Sequence, residues 1–217
     1  MKSVHMLAVC FAVALAPAML AQQWEVGGGA GGGFYTSESV TAPGGSASAK
    51  IDSSVAGSVW LGNNRADKWG GELRGDFQLG SLDLSGGGQQ ATFAARSYAV
   101  HYDVLWHATH YGSKIRPFVA VGAGIKVYQG TGAQQAYQPL NNFALLTQAQ
   151  DLTPLISAGG GVKIQVTPHM QLRAELHDYI TTFPKQVIAP AQGAKIGGWL
   201  QDFVPTVGLS YTSAVGR

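Results

Sequence analysis

Two sets of residues in this sequence could do chemistry. The first is the segment WHATHYGS, which gathers His107, Thr109, His110 and Ser113. A hydroxyl nucleophile needs a base within hydrogen-bond reach. A His-x-Ser arrangement would here have Thr109 where the serine is needed. His101, His107 and His110 could ligate a metal, but no acidic residue stands beside them at helical or hairpin spacing. Histidines in a polar turn are therefore the plainer reading, and no metal or other cofactor is expected. The second set is ionisable: Glu25, Glu72, Arg74, Asp76, His101, Asp103, Lys126, Lys163, Arg173, Glu175 and His177. Glu72 and Asp76 could form an acid–base pair, but they recur at even spacing inside otherwise apolar runs. The glycine runs at 27–33, 86–88 and 159–161 do not open helices with a Lys or acidic partner, so they are not phosphate cradles.

The runs that carry these charges read as β-strands. Val119, Val121, Ala123, Ile125 and Val127 alternate with Ala120, Gly122, Gly124, Lys126 and Tyr128. After the turn Thr167-Pro168-His169, Met170, Leu172, Ala174 and Leu176 alternate with Gln171, Arg173, Glu175 and His177. Period-2 alternation over such lengths gives one apolar and one polar face. Strands are expected near 24–35, 51–62, 69–80, 92–106, 116–128, 154–166, 170–182 and 201–212. The connections 36–50, 81–91, 129–153 and 183–200 are long, whereas 63–68, 107–115 and 167–169 are short. This asymmetry is that of an eight-stranded antiparallel up-and-down transmembrane β-barrel, with short periplasmic turns and long outer loops. Residues 36–50 are expected to be mobile. Residues 129–153 either hold a short surface helix, with Phe143, Leu145 and Leu146 against the rim, or form a partly ordered loop. The 183–200 hairpin is expected to continue beyond the membrane on Val187, Ile188, Ile196 and Trp199.

Residues 1–21 have a basic start and a short apolar run ending on Ala21, the pattern of a secretory signal, leaving 22–217 as the barrel domain. Cleavage after Ala18 is an alternative. The only cysteine, Cys10, lies in that segment, so thiol chemistry in the exported chain is excluded. Charged residues make up 12% of the chain and the formal charge is +2, so no nucleic-acid partner is expected.

Alternation alone does not say which face looks inward, since a soluble ligand-binding barrel has the same parity turned inside out. Glycines share the polar parity with the charges, which suits a crowded narrow lumen, and the low charge suits an outer wall in lipid. The lumen is therefore expected to hold Glu25, Glu72, Arg74, Asp76, Asp103, Lys126, Lys163, Arg173 and Glu175. Near-balanced signs predict a salt-bridged plug instead of a water channel. Lys163 should sit opposite Arg173, with Glu175 and a carboxylate from the third strand as neutralisers. Aromatic girdles are expected from Trp24, Trp69, Trp106 and Tyr211 at the periplasmic rim. Phe93, Tyr128 and Tyr179 are expected at the outer rim.

RPFVAVGAGIKVY, SAGGGVKIQVTPHMQLRAELHDY and VPTVGLSYT resemble the small outer-membrane β-barrels of Gram-negative bacteria, the OmpA/OmpX-like transmembrane domain. The resemblance implies outer-membrane lipid and the barrel-assembly machinery as partners, and a structural, adhesive or surface-interaction role. The peptidoglycan-binding domain of some relatives does not follow the last strand. That strand ends at Tyr211 and is followed by SAVGR, where the family's assembly signal usually closes on an aromatic residue. A non-enzymatic barrel is the expected function. A small pore or transport accessory and a lipid A-modifying barrel enzyme are the alternatives.

Overall fold

The computed structural model describes residues 24–64, 67–133 and 137–213. The expected signal segment 1–21 and the last four residues lie outside the described residues. Twelve strands follow in chain order: β1 (Trp24–Tyr35), β2 (Ser37–Ala42), β3 (Gly45–Ile51), β4 (Ser54–Asn63), β5 (Trp69–Gly86) and β6 (Gln89–His107), then β7 (Ile115–Gly130), β8 (Ala144–Leu146), β9 (Gln150–Gln165), β10 (Met170–Thr182), β11 (Ile188–Pro190) and β12 (Trp199–Thr212). Eight of them, β1, β4, β5, β6, β7, β9, β10 and β12, each pair antiparallel with the next, and β12 pairs back with β1. The sheet is therefore a closed up-and-down barrel.

The register sets its girth. Paired positions run from Glu25 through Gly62, Glu72, Asp103, Gly122, Ser157, Tyr179 and Asp202 to Tyr35. One circuit thus climbs about ten residues along β1, the stagger of a narrow barrel with strands tilted roughly 35–45°. Every position on that circuit faces inward, so side chains remote in sequence stack in one column.

Outward positions form an apolar wall. Val59, Leu73, Val100, Val121, Ile156, Leu176 and Val207 are among its many exposed large side chains. Such a surface is stable against lipid and not against water. Trp24, Trp69, Trp106 and Tyr211 lie at periplasmic strand ends on this outward face.

Above the membrane section the outer loops differ from expectation. Residues 36–50 are not mobile: β2 and β3 pair from Ser37–Lys50 to Ala42–Gly45, β3 adds to β5, and Thr41 bridges Lys195. Burial of Val40, Ala47 and Ala49 explains the order. Residues 81–91 are not a loop, because β5 and β6 continue to a two-residue turn at Gly87-Gly88. Both glycines have positive φ (57° and 78°), as that turn requires. The stretch 144–146 is a strand, not a helix, and pairs with β11. Phe143 and Leu146 are buried there, while Leu145 points outward. Val187, Ile188 and Ile196 join Val40, Leu82, Leu84 and Phe93 in one apolar core that closes the outer end, and Trp199 stays exposed.

Glycines let neighbouring strands of so narrow a barrel close on each other. A Cβ on Gly31 would lie 1.9 Å from the Pro205 carbonyl oxygen, and one on Gly122 would lie 2.1 Å from the Tyr102 carbonyl oxygen. Outward-facing Gly57 would meet nothing within 4 Å. Gly31→Val or Gly122→Val is therefore expected to abolish the folded band in a heated-versus-unheated denaturing gel, whereas Gly57→Ala leaves it intact.

Candidate functional site

Strand parity sends one ionisable side chain after another into the lumen, where water is scarce and each needs a partner. At the periplasmic level Arg173 on β10 faces Lys163 on β9, as the short turn dictates. Lys163 Nζ lies 2.6 Å from Glu25, whose carboxylate also accepts from Asn64 (3.1 Å). Arg173 donates to both oxygens of Glu72 (2.5 and 3.0 Å) and to Glu175 (2.6 Å). One step higher, Arg74 pairs with Glu175 (2.5 Å) and Asp76 (3.1 Å). The Trp60 ring sits under both guanidiniums, at 5.3 Å from Arg74 and 4.7 Å from Arg173.

The middle tier is a histidine–carboxylate cluster. His101 places Nδ1 2.9 Å from Asp103 and Nε2 3.1 Å from Asp76, which also accepts from Ser58 (2.5 Å) and the Tyr179 hydroxyl (3.0 Å). His177 Nδ1 lies 3.3 Å from Ser157 Oγ and 3.7 Å from Asp103. In the upper tier Lys126 pairs with Asp202 (2.5 Å), which also accepts from Gln78 (2.7 Å). Three tyrosine rings surround its ammonium: Tyr35 at 4.8 Å, Tyr128 at 5.3 Å and Tyr179 at 5.5 Å.

The nine charged residues singled out in the sequence all turn inward, and they fall into these three linked tiers. Tyr128 and Tyr179 do not belong to an outer girdle. Their inward parity buries them, where they wall Lys126, and Phe93 likewise lies in the outer core. Sequence reasoning missed Asp202, although it shares parity with Val204, Thr206 and Ser210 and so had a readable inward position. It also missed Trp60, Gln78 and Tyr35, whose roles depend on what stands across the lumen.

This arrangement is poor at nucleophilic chemistry. Ser157 lies 3.3 Å from Nδ1 of His177 and Glu175 lies 3.5 Å from its Nε2, but Glu175 is held by Arg74 and Arg173 and all three side chains are shut inside the lumen, away from any substrate. The WHATHYGS residues do not converge either. His107 is buried against Phe118, His110 is exposed and bonded to Asp67, and Thr109 donates to the Ile115 carbonyl (3.1 Å). Among the described residues no three His, Cys, Asp or Glu side chains are grouped to hold a metal.

The fold has solved counterparts. Neisserial surface protein A (NspA) matches over 89% of this chain and 97% of its own, at 11% identity and a TM-score of 0.53. Ail, the attachment invasion locus protein of Yersinia pestis, matches over 88% and 98% at 12% identity, with a TM-score of 0.43. The outer membrane protease OmpT from Escherichia coli matches over 88% and 96% at 11% identity, with a TM-score of 0.47. No protein-family model and no curated protein matches the chain. The fold is that of the small outer-membrane β-barrels. With its apolar wall, the chain is an integral membrane barrel of the outer-membrane type.

Two predictions follow from the geometry. Lys126→Met leaves Asp202 buried beside nothing but amide and hydroxyl groups, and should cost about 3–5 kcal/mol in reversible urea unfolding. Adding Asp202→Asn should recover most of that loss. In the periplasmic turn, the Tyr111 amide (2.7 Å) and His110 hold the exposed Asp67 carboxyl below the usual carboxylate range. A lowered folded-state pKa stabilises the turn above the ordinary carboxylate range and ceases to do so as pH falls through the folded value. Tyr111 amide exchange, corrected for its intrinsic rate, should therefore show protection lost at low pH and absent at all pH in Asp67→Asn.

Proposed function

We propose that this chain is a non-enzymatic outer-membrane barrel with a permanently plugged lumen, whose folded outer cap is its working surface. The observation that carries this reading is double closure. Paired charges fill the membrane-level lumen, and the apolar core of β2, β3, β8, β11 and the extended β5–β6 hairpin covers its outer mouth. Where the two meet, a void of about 10 Å³ remains beside Tyr35, Ile51, Gln78 and Leu82, room for about one water. A barrel that conducts or transports needs a continuous path, and this one has charge pairs across its bore. A barrel that acts on lipid needs its nucleophile or base at the lipid level, and the Ser157–His177 pair is sealed inside. What remains for contact is the cap with its exposed polar rim, which supports a structural or surface-interaction role. Outer-membrane lipid is the partner of the wall, and the barrel-assembly machinery is the partner during insertion.

In planar bilayers the purified chain should give no stable conductance of porin size. Long-lived openings of that size would replace the plug with a pore. Lipid A from cells with and without the chain should give the same mass spectrum. A new acylation species would make the chain an enzyme.

A further inference from the structure

The periplasmic mouth of the barrel gathers cations, one of which has no ion pair in the lumen network. Arg116, at the start of β7, stands directly opposite Lys163 on β9, which stands opposite Arg173 on β10. Three cations thus share one rung. Lys163 has Glu25, and Arg173 has Glu72 and Glu175. The direct contacts of Arg116 are neutral: Nη2 donates to the Asp67 carbonyl oxygen (3.0 Å), and the guanidinium lies 5.2 Å from the Tyr111 ring, while Glu25 acts on it only at longer range. No carboxylate of the described residues forms an ion pair with it, it is 2% exposed, and its Nε has no hydrogen-bond partner.

His107 completes the cluster from β6. It is registered with Phe118, the next inward residue after Arg116 on β7, and its ring lies 6.0 Å from that phenyl. The Lys163 ammonium lies over the same phenyl at 5.5 Å. Arg173 lies over it too, at 4.7 Å, so basic side chains from β6, β9 and β10 surround Phe118, with Arg116 two residues before it on β7. His107 Nδ1 faces the Lys68 carbonyl oxygen at 3.3 Å and donates to it, so Nε2 presents a lone pair in the neutral ring. That Nε2 is buried and unpartnered. Gly70 on β5 adjoins the imidazole: a Cβ there would lie 3.5 Å from His107 Cε1 and 3.1 Å from Asn64 Oδ1.

Each feature has a bland reading alone. Arg116 could merely latch the Asp67 carbonyl, and His107 could merely fill the mouth. Together they leave two buried nitrogens without hydrogen-bond partners, and the carboxylate whose charge reaches the guanidinium, Glu25, is already paired with Lys163, so burial stays costly unless a further anion completes it. A guanidinium fork and an ammonium match oxyanion oxygens. The lone pair on His107 asks for a donor from the same ligand. An oxyanion that keeps a hydrogen meets both demands, whereas sulfate and the phosphodiester group itself carry none at neutral pH.

We propose that Arg116, Lys163 and His107 form a periplasm-facing site for a small protonated oxyanion of the hydrogen phosphate kind. The site is the periplasmic edge of the charge plug, Lys163 included, and lies below the tiers above it, so it is compatible with a closed lumen and independent of what the outer cap contacts.

The test is equilibrium dialysis of the full chain in phosphate-free detergent against radiolabelled inorganic phosphate at constant ionic strength. Saturable binding of one phosphate per chain is expected, with sulfate competing at least tenfold more weakly. Arg116→Met should weaken binding at least tenfold, and His107→Phe should weaken it and lose the preference for phosphate over sulfate. Heat-modifiable gel mobility verifies that each variant is folded, and the wild-type measurement stands even if a variant is not. Absence of saturable binding, or unchanged affinity in folded Arg116→Met, would overturn the site. Equal competition by sulfate would overturn the role of His107. Displacement by phosphatidylglycerol in mixed micelles would assign the cluster to a lipid headgroup and overturn the phosphate reading.

Discussion

The structure depends on one constraint: ions inside a barrel too narrow for bulk water must find partners on other strands. The strand stagger supplies them. Arg173 meets Glu72 across 101 residues of sequence, and Lys163 meets Glu25 across 138. Like charges that the β9–β10 turn forces side by side are separated electrically by carboxylates from β1 and β5. Burying ion pairs is weak as a source of stability, because desolvation offsets most of the attraction. Its stronger effect here is on register. A slip of one residue between any two strands would turn one column of charges into lipid and leave its partners unpaired.

Filling the lumen with long side chains requires thin walls. Trp60 lies so close to β1 and β12 that a Cβ on Gly27 would fall 2.5 Å from its indole, and one on Gly208 would fall 2.7 Å from it. The glycines of the polar parity are therefore neither linker nor cradle. They give back the volume that Trp60, Arg74 and Arg173 occupy, and their position inside strands follows from close approach of the adjoining strands.

The barrel was legible in the sequence because alternation, strand length and loop asymmetry are local properties that a membrane wall imposes on every hairpin. The lumen charges were legible for the same reason, since parity alone turns Glu72, Lys126 or Arg173 inward. What stood opposite them was legible only for Lys163 and Arg173, which a three-residue turn joins. The pairing of Lys126 with Asp202 and the tyrosine walls around it required the closed ring. Tyr128 and Tyr179 were misplaced because an aromatic near a strand end reads as a girdle residue, while its parity, which buries it, was the stronger signal. His107 read as a turn residue for lack of any local sign that Arg116 and Lys163 would converge on it.

The outer strands show why the expected loop at 81–91 is sheet. Up to Leu79, β5 turns Leu73, Phe77 and Leu79 outward and Glu72, Arg74, Asp76 and Gln78 inward. Beyond Gly80 the backbone keeps its pleat and its pairing with β6, but Ser81, Asp83 and Ser85 now face outward and Leu82 and Leu84 inward. On β6 the same exchange separates outward Tyr98 from outward Thr92 and Gln90. Lipid selects apolar side chains on the outer face and tolerates paired ions within; water selects the reverse. The apolar phase slips by one residue at that level while the strand continues unbroken, and a reading that follows hydrophobic phase ends the strand where only the solvent ends. The slip therefore marks the outer edge of the bilayer near Gly80, and it is why the cap above can fold around an ordinary apolar core.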